Sequence, residues 1–241
     1  MRIIAFKALG DALKVAVNFP LETLKAAFLF FLAVSLLISA GLTPALVVFY
    51  AITAINMWTS ITSFILVSML LISYVVVWFF ISSYTAAFVK TLFDLFKERK
   101  RPSLFTYIQL GLKYGRTYFA YAVIKNFILL VILIPLLGIT YYFNVLNYLP
   151  LIFLPIFVLF WFLTMFVPIS IVVDEAHSLT AIKKGIKFIF KKPLDSIIIF
   201  TMITIPFVLL FLVPIIGNIL QMLIILPLSW LALLLTYYYG R

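Results

Sequence analysis

Six long apolar runs, separated by short connections, constrain the fold of this chain more than any other feature. A bilayer core about 30 Å thick needs roughly 20 consecutive apolar residues for each spanning helix. The runs are continuously apolar rather than alternating, which favours helices over barrel strands. We therefore predict an all-α, polytopic integral membrane protein with six transmembrane helices, forming a single domain over residues 1–241. The predicted spans are 20–40, 59–88, 118–141, 149–173, 193–213 and 218–239.

The composition excludes a water-soluble globule. Of the 241 residues, 66% are hydrophobic and only 10% are charged, and the mean hydropathy is +1.28. Such a chain has too little polar surface to coat itself in water. Cys is absent, so the sequence predicts neither disulfides nor a thiolate metal site.

The charged residues are distributed unevenly around the apolar runs. The connections 41–59, 138–150 and 213–219 contain no Asp, Glu, Lys or Arg, although the chain has 18 basic and 7 acidic residues. Lys and Arg concentrate in the cytoplasmic loops of membrane proteins. The charge-free connections are therefore predicted to lie outside, which places a multi-pass protein in the cell membrane with both termini cytoplasmic.

Residues 45–58, within the first outer connection, are apolar and long enough for an alternative. A seventh crossing at this point would place the basic clusters 97–101 and 183–192 on the outer side. The positive-inside rule therefore favours an outer interfacial segment over a re-entrant piece or an extra span.

An amphipathic segment precedes the first, third and fifth spans. The junctions Pro20-Leu21-Glu22 and Pro193-Leu194-Asp195 share the pattern Pro-Leu-acid, which suits the start of a helix. The middle junction, at 119–121, lacks both the Pro and the acid. We predict three repeats of about 1–95, 96–173 and 174–241, each an interfacial amphipathic helix followed by a two-span hairpin. The alternative is that any helix entering a membrane from its surface needs such an elbow.

A short motif follows the fourth span. It comprises Val173-Asp174-Glu175, Ser178 and the run Ala-Ile-Lys-Lys-Gly at 181–185, and Arg-Pro-Ser at 101–103 ahead of Leu-Gly-Leu at 110–112 also fits. This pattern resembles six-helix membrane proteins related to the membrane domain of glycerophosphoryl diester phosphodiesterases, although Gly185 stands where that family commonly has Ser. Because no soluble phosphodiesterase domain accompanies the motif, the resemblance implies a fold and no catalysis.

Lys125 is the most unusual charge in the sequence. It falls about two turns inside the third span, beside Asn126, and an intramembrane ionisable residue marks a candidate functional site. Snorkelling to the interface, or pairing with Glu22 or Asp195, is the structural alternative. Together with Asn218 and Gln221, Lys125 and Asn126 form the predicted intramembrane polar site.

The remaining basic residues predict contact with anionic lipid headgroups rather than nucleic acid, because they are spread along membrane-adjacent elements. The residues assigned to headgroup contact are Lys183, Lys184, Lys187, Lys191, Lys192, Arg99, Lys100, Arg101, Lys113 and Arg116. Membrane lipids are thus the expected partners, and a protein partner or a homo-oligomer is left open.

No catalytic residue, metal site or cofactor is predicted. Asp174, Glu175 and His177 offer too few ligands for zinc or iron, and we interpret them as a solvated turn with Ser178 capping the next helix. The leading hypothesis is a membrane-embedded scaffold or lipid-interacting module. The alternative is a transporter or permease component for a small molecule or lipid, and an enzyme acting on lipid headgroups near these three residues ranks third.

Overall fold

The computed structural model describes residues 3–54, 60–98, 103–143, 149–211, 213 and 216–241. The described residues form helices and no strand, so the predicted all-α class is confirmed. The helices are α1 (Ile4–Asn18), α2 (Pro20–Ala54), α3 (Ser60–Glu98), α4 (Leu104–Tyr142), α5 (Leu149–Thr164), α6 (Val167–Val173), α7 (Ser178–Lys191), α8 (Pro193–Phe211), α9 (Ile216–Leu220) and α10 (Leu226–Gly240). A π-helical turn, Gln221–Ile225, joins α9 to α10.

Five segments among the described residues are long and apolar enough to cross a membrane. They are Phe64–Glu98, Leu104–Thr140, Leu151–Val173, Pro193–Leu210 and Gly217–Gly240. A sixth arises if α1 and the first part of α2, which meet at 95°, are counted as one broken span. The architecture is therefore that of a multi-pass membrane protein with about the predicted number of spans.

The first outer connection is much shorter than predicted. We expected it to begin at residue 41, but α2 continues to Ala54. Residues 45–54 are therefore the last turns of α2 and form no separate segment. Residues 55–58 lie outside the described part of the chain. In an apolar environment, a continuing helix satisfies the backbone groups that a loop would leave without partners. The other two connections shorten in the same way, because α4 runs to Tyr142 and α9 starts at Ile216.

The elbows before α2 and α8 have the same backbone geometry. Phe19, between α1 and α2, has φ −131° and ψ 57°, and Lys192, between α7 and α8, has φ −130° and ψ 58°. A proline follows in each case, and its missing N–H and its ring prevent the preceding helix from continuing. The hydroxyls of Thr23 and Ser196 then donate to the carbonyls of Phe19 and Lys192, at 2.9 and 2.8 Å.

The second elbow is joined directly to the start of α1. The Asp195 carboxylate, at the start of α8, accepts a hydrogen bond from the backbone N–H of Ala5 at 3.0 Å. This acceptor satisfies one of the free N–H groups at the start of α1, where Ile3 makes no side-chain cap. We expected the carboxylate to accept from N–H groups at the start of its own helix, α8, but it accepts from the start of α1.

The middle amphipathic segment is continuous with its span. Residues 104–116 are the first turns of the 39-residue helix α4, and no break occurs where the other two segments have their elbows. The absent proline explains this difference, because nothing at 119 interrupts the hydrogen bonding of the helix.

Small residues bring the elbow helices close to the bundle. Helix α1 buries Ala5, Ala8 and Ala12 and packs against α10, while α7 buries Ala181 and Gly185 and packs against α6. Some of their large apolar residues are buried, such as Phe188 and Ile189, but Val17 is 75% exposed and Phe190 is 72% exposed. Both helices therefore leave some large apolar side chains uncovered.

The charged groups gather at one end of the bundle, which we call the charged end; it comprises α1, residues 90–98, the start of α4, residues 174–192 and the end of α10. The Tyr239 hydroxyl donates to Asp11 at 2.9 Å, and the Phe93 and Tyr238 rings lie 5.6 Å apart. The first contact holds the end of α10 against α1, and the second holds it against the end of α3.

Candidate functional site

A cavity of about 350 Å³ lies inside the bundle. Residues of α3, α4, α5, α6, α8 and α10 line it, and both polar and aromatic side chains contribute. Its size falls at the lower end of the roughly 300–1,000 Å³ typical of small-molecule sites. The polar and aromatic lining residues are Trp78, Ser82, Thr85, Tyr118, Tyr121, Lys125, Asn126, Trp161, Thr164, Phe207, Ser229 and Trp230.

Part of the cavity lies well away from the charged end, although Thr85 is only about 8 Å before Lys90 along α3. Lys125 is about 12 Å along α4 from Thr117, whose carbonyl accepts a hydrogen bond from Ser178 at the start of α7. Ile203 is about 15 Å beyond the start of α8, and Ser229 is about 16 Å before the end of α10. The last three distances are close to half of the roughly 30 Å thickness of a hydrocarbon core.

Lys125 and Asn126 both line this cavity. The Lys125 ammonium group makes no hydrogen bond or ion pair with the other described residues, and the expected alternative of pairing with Asp195 is not observed. Asp195 is buried and is used by the N-terminus of α1 instead.

Two tyrosines stand one turn apart on the same helix face as Lys125. The Tyr121 hydroxyl donates to the carbonyl of Thr164 at 3.4 Å, and its ring packs edge-on against that of Tyr118 at 6.1 Å. The Tyr118 hydroxyl is buried and has no hydrogen-bond partner. Only one other buried side-chain group among the described residues, the Thr204 hydroxyl, shares that condition. A buried unsatisfied hydroxyl is costly and is therefore a feature that requires an explanation.

Gln221 and Asn218 are not brought to the cavity. Gln221 is buried, and its amide donates to the carbonyl of Phe207 at 2.5 Å, so it ties the π-helical turn to α8. Asn218 is exposed. The predicted polar site thus separates into Lys125 and Asn126, which line the cavity, and two residues that do not.

Asp174 is held at the charged end by three donors. The Tyr237 hydroxyl at 2.8 Å, the Lys184 ammonium at 3.0 Å and the Arg241 guanidinium at 2.7 Å all reach its carboxylate, whose side chain is 11% exposed. Partial burial opposes ionisation, but the three hydrogen bonds outweigh it and hold the pKa of Asp174 below its ordinary value. This carboxylate joins the end of α6 to α7 and α10. The segment is a turn in which Glu175 and His177 are exposed, as predicted, but Asp174 is paired rather than solvated.

Glu175 makes a second, more exposed junction. It has a positive φ of 50°, and its carboxylate accepts from Lys113 at 3.0 Å and from the Tyr114 hydroxyl at 2.8 Å, both on α4. These hydrogen bonds, first that from Lys113, lower the pKa of Glu175. Ser178 donates to the carbonyl of Thr117 at 2.9 Å and does not cap α7, which contradicts the predicted cap.

The residues assigned to headgroup contact fall into three groups. Lys113 and Lys184 are paired with Glu175 and Asp174, so part of their charge serves the fold. Arg99, Lys100 and Arg101 lie outside the described residues. The exposed or half-buried remainder is Lys183, Lys187, Lys191, Lys192 and Arg116.

His177 is exposed at the start of α7. Within the described ranges, no three His, Cys, Asp or Glu side chains come together in a group that could hold a metal ion. Asp174 and Glu175 diverge toward different helices, so the structure does not bring these three residues into one cluster.

No protein-family model, curated protein or solved structure matches this chain. The resemblance to the phosphodiesterase-associated membrane domain therefore stays a prediction. The residues that carry it have structural roles here: Asp174 and Lys184 form an ion pair, and an added Cβ at Gly185 would lie 2.9 Å from the backbone N of Val167.

Sequence reasoning missed the aromatic part of the cavity. Three of the four tryptophans in the chain, Trp78, Trp161 and Trp230, line it. Trp in membrane proteins is enriched at the two interfaces, whereas these three lie near the middle of their candidate spans. Their position in the middle of the predicted spans could have indicated from the sequence that the bundle contains more than a packed apolar core.

Proposed function

We propose that this protein binds a small molecule or a lipid within the membrane and acts as a carrier or permease component for it. The observation that supports this most directly is the cavity beside Lys125, at about half the depth of a bilayer. Among its described lining residues are one cation, several hydroxyls, an amide and three tryptophans. A mostly apolar cavity with a few convergent polar groups is the usual form of a small-molecule site.

The polar groups of the cavity argue for a ligand rather than for packing alone. A bundle that served only as a scaffold would gain stability from apolar residues at these positions, because each buried polar group without a partner costs free energy. The Tyr118 hydroxyl is such a group, and Lys125 is a half-buried cation with no ion pair among the described residues. Their presence at the centre is accounted for if a bound molecule supplies the missing partners.

The orientation that goes with this proposal places the charged end in the cytoplasm. The exposed lysines of α7 would then face the inner leaflet, where anionic lipids attract basic residues with about 1 kcal/mol each. Both termini are assigned to the same side, because α1 packs against the end of α10.

We also infer that the first and third units are related as repeats. Their elbows share backbone angles, the following proline and the hydroxyl that bonds back to the elbow carbonyl. Ala8 and Ala12 of α1 correspond to Ala181 and Gly185 of α7 as buried small residues. The middle unit of this threefold arrangement has lost its elbow, since α4 runs straight through.

A second candidate is the membrane-embedded scaffold or lipid-interacting module. The uncovered apolar side chains of α1 and α7, such as Val17 and Phe190, favour it, since helices at an interface bury such side chains among lipid acyl chains. This role would not require the cavity to be occupied, and that difference separates the two candidates.

The experiment that tests the proposal compares the molecules that co-purify with a variant whose cavity is filled and with proteins whose cavity stays open. Ala122→Trp adds a large side chain at a lining position, and Ala120→Trp, on an exposed face of the same helix, is the matched control. We expect mass spectrometry of extracts from the wild-type protein and from Ala120→Trp to reveal a shared enriched molecule that Ala122→Trp lacks. In reconstituted vesicles, Ala122→Trp should also abolish uptake of that molecule. Equal enrichment in all three proteins would contradict the proposal and favour the scaffold.

A further inference from the structure

We propose that the cavity binds an anionic amphiphile, a molecule with a carboxylate or phosphate-ester head and an apolar chain, with Lys125 as the counter-charge of the head. This inference rests on the proposed function and adds to it the chemical class of the bound molecule. The charge, the unsatisfied donor and the aromatic walls of the cavity support it.

The charge inside the cavity has one sign. Lys125 is the single charged residue among the described residues that line it, and no carboxylate faces it there. An ammonium group away from water is costly unless an anion pairs with it. A cationic ligand would be repelled and a neutral one would leave the ammonium unpaired, so an anion is the complementary ligand.

The donors around Lys125 require an acceptor. Tyr118, Tyr121 and Lys125 are spaced to lie on one face of α4. The Tyr121 hydroxyl already donates to the Thr164 carbonyl, whereas the Tyr118 hydroxyl is buried without a partner. Asn126 supplies an amide beside them. A carboxylate or phosphate oxygen accepts from hydroxyl, amide and ammonium groups alike, and such charge-assisted hydrogen bonds are the stronger ones.

The walls of the cavity accommodate an apolar chain. Trp78, Trp161 and Trp230, with Met165 and Ile203, present apolar surface from four different parts of the bundle. A bare inorganic anion would lose its hydration to these walls and gain few donors in return. An amphiphile gains on both sides, because its head meets Lys125 while its chain leaves water for an apolar surface.

The test uses the purified full-length chain in a non-ionic detergent and labelled dodecanoate as the probe. We expect wild-type protein to bind dodecanoate and Lys125→Gln to bind it about tenfold more weakly or worse, as for the loss of a charge-assisted hydrogen bond. Dodecyl phosphate should compete with the probe. Dodecanol and dodecylamine, which have the same chain with a neutral or a cationic head, should not.

Tyr118→Phe separates a ligand-binding role from a structural one. Removing a hydroxyl that has no partner should leave the unfolding temperature of the unliganded protein unchanged or raise it. The same substitution should weaken dodecanoate binding. Tyr107→Phe is the matched control on the same helix, because Tyr107 does not line the cavity and its hydroxyl donates to the Tyr84 carbonyl at 2.9 Å, so its removal should lower stability with little effect on affinity.

The outcomes distinguish this inference from the proposed function. If wild-type protein and Lys125→Gln bind dodecanoate with equal affinity, the ligand is not recognised by its anionic head. The same follows if dodecanol or dodecylamine competes as strongly as dodecyl phosphate. Either result would overturn this inference and leave the cavity as a binding site of another specificity. If inorganic phosphate competes at the same concentration, the ligand would be a free anion rather than an amphiphile, which would overturn this inference. If wild-type protein binds no dodecanoate, this inference is wrong, while the proposed function fails only on the comparison of Ala122→Trp with Ala120→Trp.

Discussion

At the scale of single residues, the two adjacent carboxylates at 174 and 175 have different surroundings and different expected effects. Asp174 is nearly buried among three donors, whereas the side chain of Glu175 is 60% exposed beside Lys113 and Tyr114. A buried carboxylate that loses its ionisation leaves its donors poorly satisfied, while an exposed pair is screened by water. The segment therefore has one strong junction and one weak junction.

The lowered pKa of Asp174 predicts a pH-dependent stability. Its folded pKa lies below the unfolded value of about 3.9, so its contribution is fully present above that value and is lost as the pH falls through the folded pKa. We expect Asp174→Asn to lower the unfolding temperature at neutral pH. The difference from the wild type should shrink below about pH 4, as measured by thermal unfolding in detergent.

Glu175→Gln is the control for this series. Because its carboxylate is mostly exposed, the substitution should change stability by no more than about 1 kcal/mol at any pH. A difference between wild type and Asp174→Asn that stays constant from neutral to acid pH would contradict the role given to Asp174.

At the scale of helices, close approach depends on where glycines and alanines stand. The Cβ of an alanine at 185 would lie 2.9 Å from both the side chain and the backbone N of Val167, so α6 and α7 would have to separate. At Gly10 in α1, nothing lies within 4 Å of the same added atom. Residue type alone does not distinguish these two helical glycines.

We expect alanine substitutions at these two glycines to change the unfolding free energy in opposite directions. Gly185→Ala should lower the unfolding free energy by about 1–3 kcal/mol through overpacking. Gly10→Ala should raise it by about 0.5–1 kcal/mol, because alanine loses less conformational freedom than glycine in a helix. The measurement is thermal or chemical unfolding of both variants beside the wild type. If both substitutions stabilise the protein, the tight contact between α6 and α7 is wrong.

At the scale of the whole molecule, the helices orient their charged residues toward one end. Lys97 is exposed near the end of α3, Lys187 is exposed on α7, and Phe143 is exposed beyond the opposite end of α4. The chain contains no cysteine, so a single introduced cysteine reports its own position without ambiguity.

This arrangement predicts the result of labelling from each side of the membrane. Lys97→Cys and Lys187→Cys should react with an impermeant maleimide from the cytoplasmic side, and Phe143→Cys should react from the opposite side. Sealed vesicles of both orientations provide the measurement. Labelling of Lys97→Cys and Phe143→Cys from the same side would rule out the proposed topology.

Much of this fold could be predicted from the sequence, because in lipid each helix satisfies its own backbone hydrogen bonds within a local segment. The apolar runs thus located the spans, and Pro20 and Pro193 located the elbows. The ends of α2 and of α4 at the charge-free connections were predicted less well, since Gly and Pro do not end a helix that has no water to offer its backbone.

Lys125 was recognised from the sequence as an unusual charge, but its surroundings were decided by the tertiary structure. Tyr118 and Asn126 are its neighbours on α4, whereas Trp78, Trp161 and Trp230 line the same cavity from three other helices. Which side chains meet depends on how the helices rotate and how closely small residues such as Gly185 let them approach. Local sequence determines where each helix runs, and packing between helices determines that a cavity with a few polar groups opens beside their apolar core.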